Sequence, residues 1–330
     1  MILYENDSTD AYFNMAAEQY LLDTAGSPCA MLWRNGKAVV IGKNQNAAEQ
    51  LDLRFCRENG ITPVRRLTGG GAVFHDLGNV NFTFIVPDDS KKLDFAAFSR
   101  PVIGSLERLG LKCRLSGRND IVADTADGER KISGEAQCVY EAGGTKKVLH
   151  HGTLLFSADL SLLAGALRAD PAKMLSKGIR SVSSRVANVK DLIATDLDAD
   201  GFLDYLKTDL AARTGAERRF FTDGEKAAIQ KLADTKYASD EWLFGRFGRG
   251  GKSRRFPFGT VGAELSEKDG AIESLRFTGD FFGAKDADVL AASLAGTRLS
   301  EQELMRALAH VGEYIHGATA ADITRLLLDK

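Results

Sequence analysis

At 330 residues the chain is longer than one average domain, and its 44% hydrophobic and 27% charged content suits a soluble globular protein with a sizeable core. A net charge of −2 and a pI of about 6.3 give no global field for nucleic acid or an anionic membrane, so basic clusters have to be read locally. No apolar run reaches membrane-spanning length, the N-terminus lacks a signal peptide's basic start and apolar core, and the four cysteines form neither a CxxC pair nor a Cys/His cluster, so a cytoplasmic chain without a zinc site or disulfide framework is expected.

Ile2 to Tyr4 reads as a short extended start. Asp7, Ser8 and Thr9 offer N-caps for a helix over about 10–24, with Phe13, Ala16, Ala17, Tyr20 and Leu21 on its apolar face. Asn35-Gly36 lies between two extended runs and is the dipeptide that best signals a two-residue hairpin. Trp33, ending the first run, reads as core or as the wall of a ligand pocket. A helix over about 46–59 should end at Gly60, and Ile61 to Leu67 leads into Arg65-Arg66-Leu67-Thr68-Gly69-Gly70-Gly71. Consecutive glycines expose N–H groups and admit close approach, and two guanidiniums beside them suit a phosphate or carboxylate. A flexible surface hairpin with an incidental basic pair has the same composition. Val80, Phe82, Phe84 and Val86 then alternate with Asn79, Asn81, Thr83 and Ile85, the period of a strand with one buried face.

Asp94 caps a helix running to about Leu109, with a bend expected near Pro101. Four extended runs follow, Leu111 to Leu115, Asn119 to Asp124, Arg130 to Val139 and Val148 to Phe156. With Ile132 facing the core, alternation sends Lys131 and Ser133 to the other face, where a lysine is either a solvated charge or a point charge for a phosphate. Asn119-Asp120 is either a turn or a partner for an adenine amino group. His150 and His151 are adjacent on a strand, point to opposite faces and cannot share one metal; either can be structural, or can join Thr153 in bonding a ligand. Helices are expected near 159–168 and 171–177. The stretch from Ser176 to Asn188 is small, polar and basic without a regular period, fitting a surface loop or a lid whose Lys177, Arg180 and Arg185 close over phosphate. Helices over about 199–214 and 223–236 precede a Gly/Arg-rich linker at Gly245 to Lys252, a strand pair around Val261 and Ile272, and three helices near 285–295, 300–312 and 319–329. The fold class is therefore α+β: a mixed, largely antiparallel sheet flanked by helices over 1–245, and a small α+β domain over 246–330. Cys138 reads as a candidate nucleophile or a small buried hydrophobe.

Taken together, Arg65 to Asn79, Gly117-Arg118-Asn119-Asp120, Arg130 to Gly134, His150 to Leu155 and Lys177 to Val182 resemble the lipoate–protein ligase A family of the biotin/lipoate ligase superfamily. The motifs stand in that family's order from residue 10 to about 190, and the small C-terminal domain fits its accessory domain. The resemblance implies a fold shared with biotin–protein ligases and octanoyltransferases and a two-step reaction using ATP and Mg²⁺. Lipoate attacks the α-phosphate of ATP to give lipoyl-AMP, and a lysine of a lipoyl domain then takes the acyl group. Acceptors would be E2 subunits of 2-oxoacid dehydrogenases and the glycine-cleavage H protein. It implies Lys131 as the essential lysine, with Arg66, Thr68, Gly70, Gly71, Ala72, Val73 and Phe74 holding lipoate and phosphate, and Asn79 nearby. Asp120 would sit by the adenine, Trp33, Ala136, His151 and Thr153 would line the pocket, and Lys177, Gly178, Arg180, Ser181, Val182 and Arg185 would belong to the adenylate-binding loop. Thr68 stands where serine is common and Glu135 where a small residue is common. The rivals are an ATP-independent octanoyl or lipoyl transferase working through a Cys138 thioester, a non-catalytic binder of lipoate or lipoyl domains, and, less well matched, a biotin ligase.

Overall fold

The computed structural model describes residues 1–87, 93–117, 119–142, 144–168, 186–245, 248 and 251–329. Strand β1 (Ile2–Glu5) leads to helix α1 (Ala11–Thr24), which starts where Asp10, rather than Asp7, Ser8 or Thr9, accepts the Phe13 N–H. β2 (Cys29–Trp33) and β3 (Ala38–Ile41) flank Asn35-Gly36 but do not form the expected hairpin. β2 pairs with β1 and with β6 (Asn79–Pro87), whereas β3 pairs with β4 (Thr62–Arg65) and β5 (Val73–His75) in a separate sheet. The reason is local: Asn35 is buried and tied to Asn14 and His75, and the Gly36 N–H donates to the Thr9 carbonyl, which leads the chain out of the first sheet. The helix expected over 46–59 is two, α2 (Ala47–Gln50) and α3 (Leu53–Glu58), because Asp52 caps the second by accepting the Phe55 N–H.

Helix α4 (Phe95–Arg108) is capped by Asp94 and accommodates Pro101. Then come β7 (Cys113–Ser116), β8 (Asp120–Thr125), β9 (Gly128–Ala142), β10 (Thr145–Leu155), α5 (Leu163–Ala166), α6 (Ala199–Thr214), β11 (Glu217–Phe220), α7 (Asp223–Leu232) and α8 (Asp240–Leu243). The helix expected at 171–177 lies outside the described residues. Among the described residues eight strands make one mixed sheet in the order β11-β1-β2-β6-β10-β9-β8-β7, in which only the two partners of β1 are parallel to it.

The sheet is covered on both sides. Met31, Trp33, Ile85 and Leu149 pack toward α1 and α7, while Leu32, Phe82, Phe84 and Ile132 pack with side chains of α4 and α6. The expectation of one buried face for β6 is thus corrected: Asn81 and Thr83 are as inaccessible as Phe82. A register shift between Ile121 and Val122 leaves Ile132 as an extra residue in β9. Ser133 is consequently buried, and Lys131 and Gly134 are the residues that reach the open side.

The C-terminal part is an antiparallel three-stranded sheet of β12 (Lys252–Phe256), β13 (Gly259–Lys268) and β14 (Ala271–Gly279) with α9 (Ala287–Ser293), α10 (Glu301–Ala307) and α11 (Ala320–Leu328). Its core is its own, built on Phe256, Phe277, Phe281, Leu304 and Ile323. Among the described residues no helix is long and apolar enough to cross a membrane.

Candidate active site

A cavity of about 170 Å³ lies between the two sheets of the larger part, walled by residues of α1, β2, β3, β5, β6, β9 and β10. Met15, Trp33 and Val40 supply apolar surface; Arg66, Asn81, Asn119, Lys131 and Thr153 supply polar groups. An apolar slot carrying a few convergent polar groups is the usual form of a small-molecule site.

The two arginines before the glycine loop do different work, because neighbours at a strand end point opposite ways. Arg65 is 0% exposed and donates to the carbonyls of Gly42, Lys43, Gln45 and Trp242, fastening the loop region to α8. It does not border the cavity, so the anion-binding pair read from the sequence reduces to Arg66. Arg66 is 5% exposed and does border it. Its Nη2 donates to the carbonyls of Gly69 (2.6 Å) and Gly71 (2.9 Å), its Nη1 to Val40 (3.2 Å), and its Nε to the Thr68 hydroxyl (3.0 Å). Burial lowers its pKa to about 10 against the opposing pull of Glu18.

The glycines serve close approach. A Cβ on Gly69 would stand 2.3 Å from the carbonyl oxygen of Phe281 in the C-terminal part, and Gly70 has a φ of +91°. The Gly70 N–H donates to that same Phe281 oxygen at 3.0 Å, and the neighbouring Phe282 ring borders the cavity.

Across the cavity, Lys131 Nζ pairs with Asp120 Oδ1 at 2.8 Å, both about a third exposed. The described chain resumes against this lysine: the Ala187 N–H donates to the Lys131 carbonyl at 2.9 Å. Asn119 braces β9 beyond Lys131 by exchanging hydrogen bonds with the Glu135 backbone, and Thr153 Oγ1 accepts the Gly134 N–H at 3.1 Å.

His150 and His151 do face opposite ways. His151 borders the cavity, with Nδ1 2.8 Å from Glu18 Oε1 and Nε2 2.8 Å from Thr68 Oγ1. His150 stacks on Phe98 behind the sheet, and burial holds its pKa well below the ordinary value. His75 joins the cavity wall as well. The Asn14 amide donates to the backbone of Arg34 and to Asn35, so Asn35 presents its own N–H₂ to His75 Nδ1 at 3.0 Å. Burial drops the His75 pKa to about 3, so the ring is neutral, and its buried Nε2 has no hydrogen-bond partner among the described residues.

Of the residues singled out from sequence, Trp33, Arg66, Gly71, Ala72, Val73, Lys131, Ala136, His151 and Thr153 meet at this cavity. Thr68, Gly70 and Asp120 stand one contact behind it, Asn79 donates to Asn81 Oδ1 instead of facing it, and Phe74 packs in the core on the far side of β5. Lys177, Gly178, Arg180, Ser181, Val182 and Arg185 lie outside the described residues. Sequence reading missed Met15, Glu18, His75, Asn81 and Phe282. A carboxylate spaced with Met15 and Leu22 along an apolar helix face was the available sign for Glu18; Phe282 had none. Cys138 is partly buried away from the cavity and its thiol is pushed up to about 12 by burial, which suits a small hydrophobe and removes support for a thioester route.

The lipoyl protein ligase A/B catalytic domain family matches residues 10–211, and the bacterial lipoate protein ligase C-terminus family matches residues 251–327. The chain belongs to the lipoyl protein ligase A/B family. Lipoate–protein ligase 1 of Staphylococcus aureus (strain Mu50) is 34% identical over 314 residues, covering 94% of this chain and 93% of that protein. Among solved structures, the lipoate-protein ligase A bound with ATP is 28% identical with a TM-score of 0.60, over 74% of this chain and 98% of its own. The bi-partite lipoate protein ligase of Thermoplasma acidophilum, described with its E2 lipoyl domain, is 29% identical with a TM-score of 0.63, over 76% of this chain and 97% of its own. The catalytic-domain match spans β2 to β10 and α1 to α5 with most of α6, and the C-terminus match spans β12 to α11.

Proposed function

We infer that this cavity is where the chain activates lipoate with ATP. The protein is an ATP-dependent lipoate–protein ligase, and the observation that carries the site assignment is the placement of Lys131 and the Arg66-held glycine loop on walls of one apolar cavity. Lipoate is an apolar tail with one charged end. Met15, Trp33 and Val40 suit the tail, and the polar walls suit the carboxylate.

In the first step a carboxylate oxygen attacks the α-phosphorus of ATP, the bond to the β-phosphate oxygen breaks, and pyrophosphate leaves with that electron pair. A carboxylate is already ionised at neutral pH, so no base is required. The need is for cationic and N–H groups fixed beside the oxygens where charge gathers, which Lys131 and the Gly71–Val73 backbone would meet. In the second step a neutral lysine amine of the acceptor attacks the acyl carbon, the bond from that carbon to the phosphate oxygen breaks with its electron pair going to AMP, and the nitrogen gives up a proton to solvent as the amide forms. Lys131 would stay on the carboxyl–phosphate junction through both, with Asp120 holding its ammonium between turnovers. The apolar walls and Phe282 would limit hydrolysis of the anhydride.

Further elements of the reading are acceptors among the E2 lipoyl domains and the glycine-cleavage H protein, a cytoplasmic location, and a division into a catalytic part (1–245) and an accessory part (246–330). Among the described residues no group of three His, Cys, Asp or Glu side chains is placed to hold a metal ion. Mg²⁺ would enter with the phosphates of ATP. Lipoate-dependent ATP–pyrophosphate exchange, run beside octanoate and biotin, tests the assignment. Lys131→Ala should lower it by about a hundredfold or more in a protein that still melts cooperatively; near-normal exchange in that variant would sink the site.

A further inference from the structure

We propose that Glu18, which does not border the cavity, is a positioning residue for adenylate formation, acting through His151, Thr68 and Arg66 on the glycine loop. The proposal rests on the reading of the cavity as the adenylation site.

Glu18 is 1% exposed on the apolar face of α1. A carboxylate is costly there unless its oxygens are bonded. Both are: Oε1 accepts from the Thr83 hydroxyl at 2.6 Å and from His151 Nδ1 at 2.8 Å, and Oε2 lies 3.1 Å from the same nitrogen. An ionised carboxylate can only accept, so His151 must carry hydrogen on Nδ1. In the neutral ring, whose one hydrogen is then on Nδ1, Nε2 accepts the Thr68 hydroxyl at 2.8 Å. That leaves a lone pair of Thr68 Oγ1 for Arg66 Nε at 3.0 Å. Each link has one hydrogen and one acceptor, so the direction set at Glu18 runs unbroken to the guanidinium.

Arg66 passes the constraint on by holding the carbonyls of Gly69 and Gly71. In a trans peptide the following N–H points opposite to the carbonyl, so the N–H groups of Gly70 and Ala72 are turned away from Arg66. Ala72 borders the cavity, and the Gly70 N–H is seen to reach the Phe281 oxygen. The same carboxylate also fixes the tail wall, because Trp33 Nε1 donates to Thr83 Oγ1 at 2.9 Å. One buried charge thereby sets both the anion loop and the indole that flanks the apolar tail.

Glu18→Gln in the full chain keeps the volume but places an N–H₂ where an acceptor stood. The expected result is a kcat for lipoate-dependent pyrophosphate exchange lower by about tenfold to a hundredfold, the scale of one lost hydrogen bond to a charged group. The KM for lipoate should rise less than kcat falls, and the ¹⁵N ring signals of His151 should move toward the Nε2–H tautomer. Thr68→Val cuts the relay further along, and the double variant should be no slower than the slower single one. A Glu18→Gln enzyme with wild-type kcat and His151 tautomer, or losses that multiply in the double variant, overturns the proposal. Should Glu18→Gln fail to fold, Thr68→Val decides alone: a reduced kcat supports the relay and an unchanged one overturns it. If the wild-type chain itself shows no lipoate-dependent exchange, the functional reading fails, while the His151 tautomer in Glu18→Gln still decides the relay.

Discussion

Glu135 departs from the small residue usual after the Ser-Gly of its motif, and sequence alternation offers it either solvent or the neighbourhood of the anion. The structure gives the second: Glu135 is 3% exposed and borders the cavity on the strand that carries Lys131, accepting the Ser99 hydroxyl at 2.6 Å and lying 3.5 Å from His150. Burial pushes its pKa up to about 8, with Asp120 adding to the rise and the Ser99 bond and Lys131 opposing it. The folded chain therefore holds a proton that the unfolded chain releases near the ordinary glutamate value of 4.5. Between those limits the unfolded state binds fewer protons, so stability falls as pH rises. His150 has the opposite sign: its lowered pKa makes stability fall as pH drops below 6.5, where the unfolded imidazole charges. Glu135→Gln removes only the first slope and keeps an acceptor for Ser99. Its urea midpoint should exceed wild type by more at pH 8 than at pH 5; an equal gain at both would mean that the native carboxyl is ionised throughout. Single residues such as Lys131 and Arg66 were legible because chemistry and motif agreed on them. His75 was not, and Glu18 only faintly: its spacing with Met15 and Leu22 sets a carboxylate on an apolar helix face, but no list of residues says which imidazole it will bond.

Elements were legible where one local rule decided them. Asp94 capping α4 and the Lys268-Asp269-Gly270 turn between β13 and β14 follow from side chains that satisfy nearby N–H groups or suit a turn. The errors arose where tertiary pairing overrode the local rule. Asn35-Gly36 became a crossover between sheets because Asn35 has long-range partners, and β11 was invisible because four charged or aromatic residues become a strand only beside β1. On β6 the period was right and its meaning was not: Asn81 and Thr83 are the polar alternates of a strand buried on both faces, one bordering the cavity and one carrying the relay. The bulge at Ile132 has a consequence for β9. A Cβ on Gly134 would lie 2.9 Å from Lys131 Nζ and 3.2 Å from its Cε. The lysine end is flexible and will move aside, so Gly134→Ala should leave the melting temperature unchanged while lowering pyrophosphate exchange about tenfold, the effect of a displaced charge at the phosphate. Full exchange in that variant would show that the ammonium tolerates displacement at this point.

At the scale of the molecule the described residues form two sets of apolar cores that meet at the cavity and the glycine loop. The apolar cluster built on Phe256, Phe277, Phe281 and Ile323 draws every member from beyond residue 250, and the other three clusters draw theirs from before residue 245. Contacts between the parts gather at the glycine loop and the turn before α2. The Gly70 N–H donates to Phe281, the Gly279 N–H donates to Asn44 at 2.8 Å, Lys43 pairs with Asp286 at 2.6 Å, and Phe282 meets Phe95 while walling the cavity. A core that closes on itself should fold by itself, whereas a site that borrows a wall should fail without it. Chains 1–245 and 246–330 expressed separately are therefore each expected to melt cooperatively. The first should have little lipoate-dependent exchange, because the cavity lacks Phe282 and Gly70 has lost the carbonyl that holds it. Adding the second in excess should restore activity in a saturable way. Full activity of 1–245 alone would show that Phe282 and Phe281 only rest against the site, and a non-cooperative melt of 246–330 would show that its core depends on the larger part. Phe282→Ala in the intact chain separates the two contributions: it removes the wall but keeps the Phe281 carbonyl, so it should raise the KM for lipoate and leave the melting temperature of the larger part where it was.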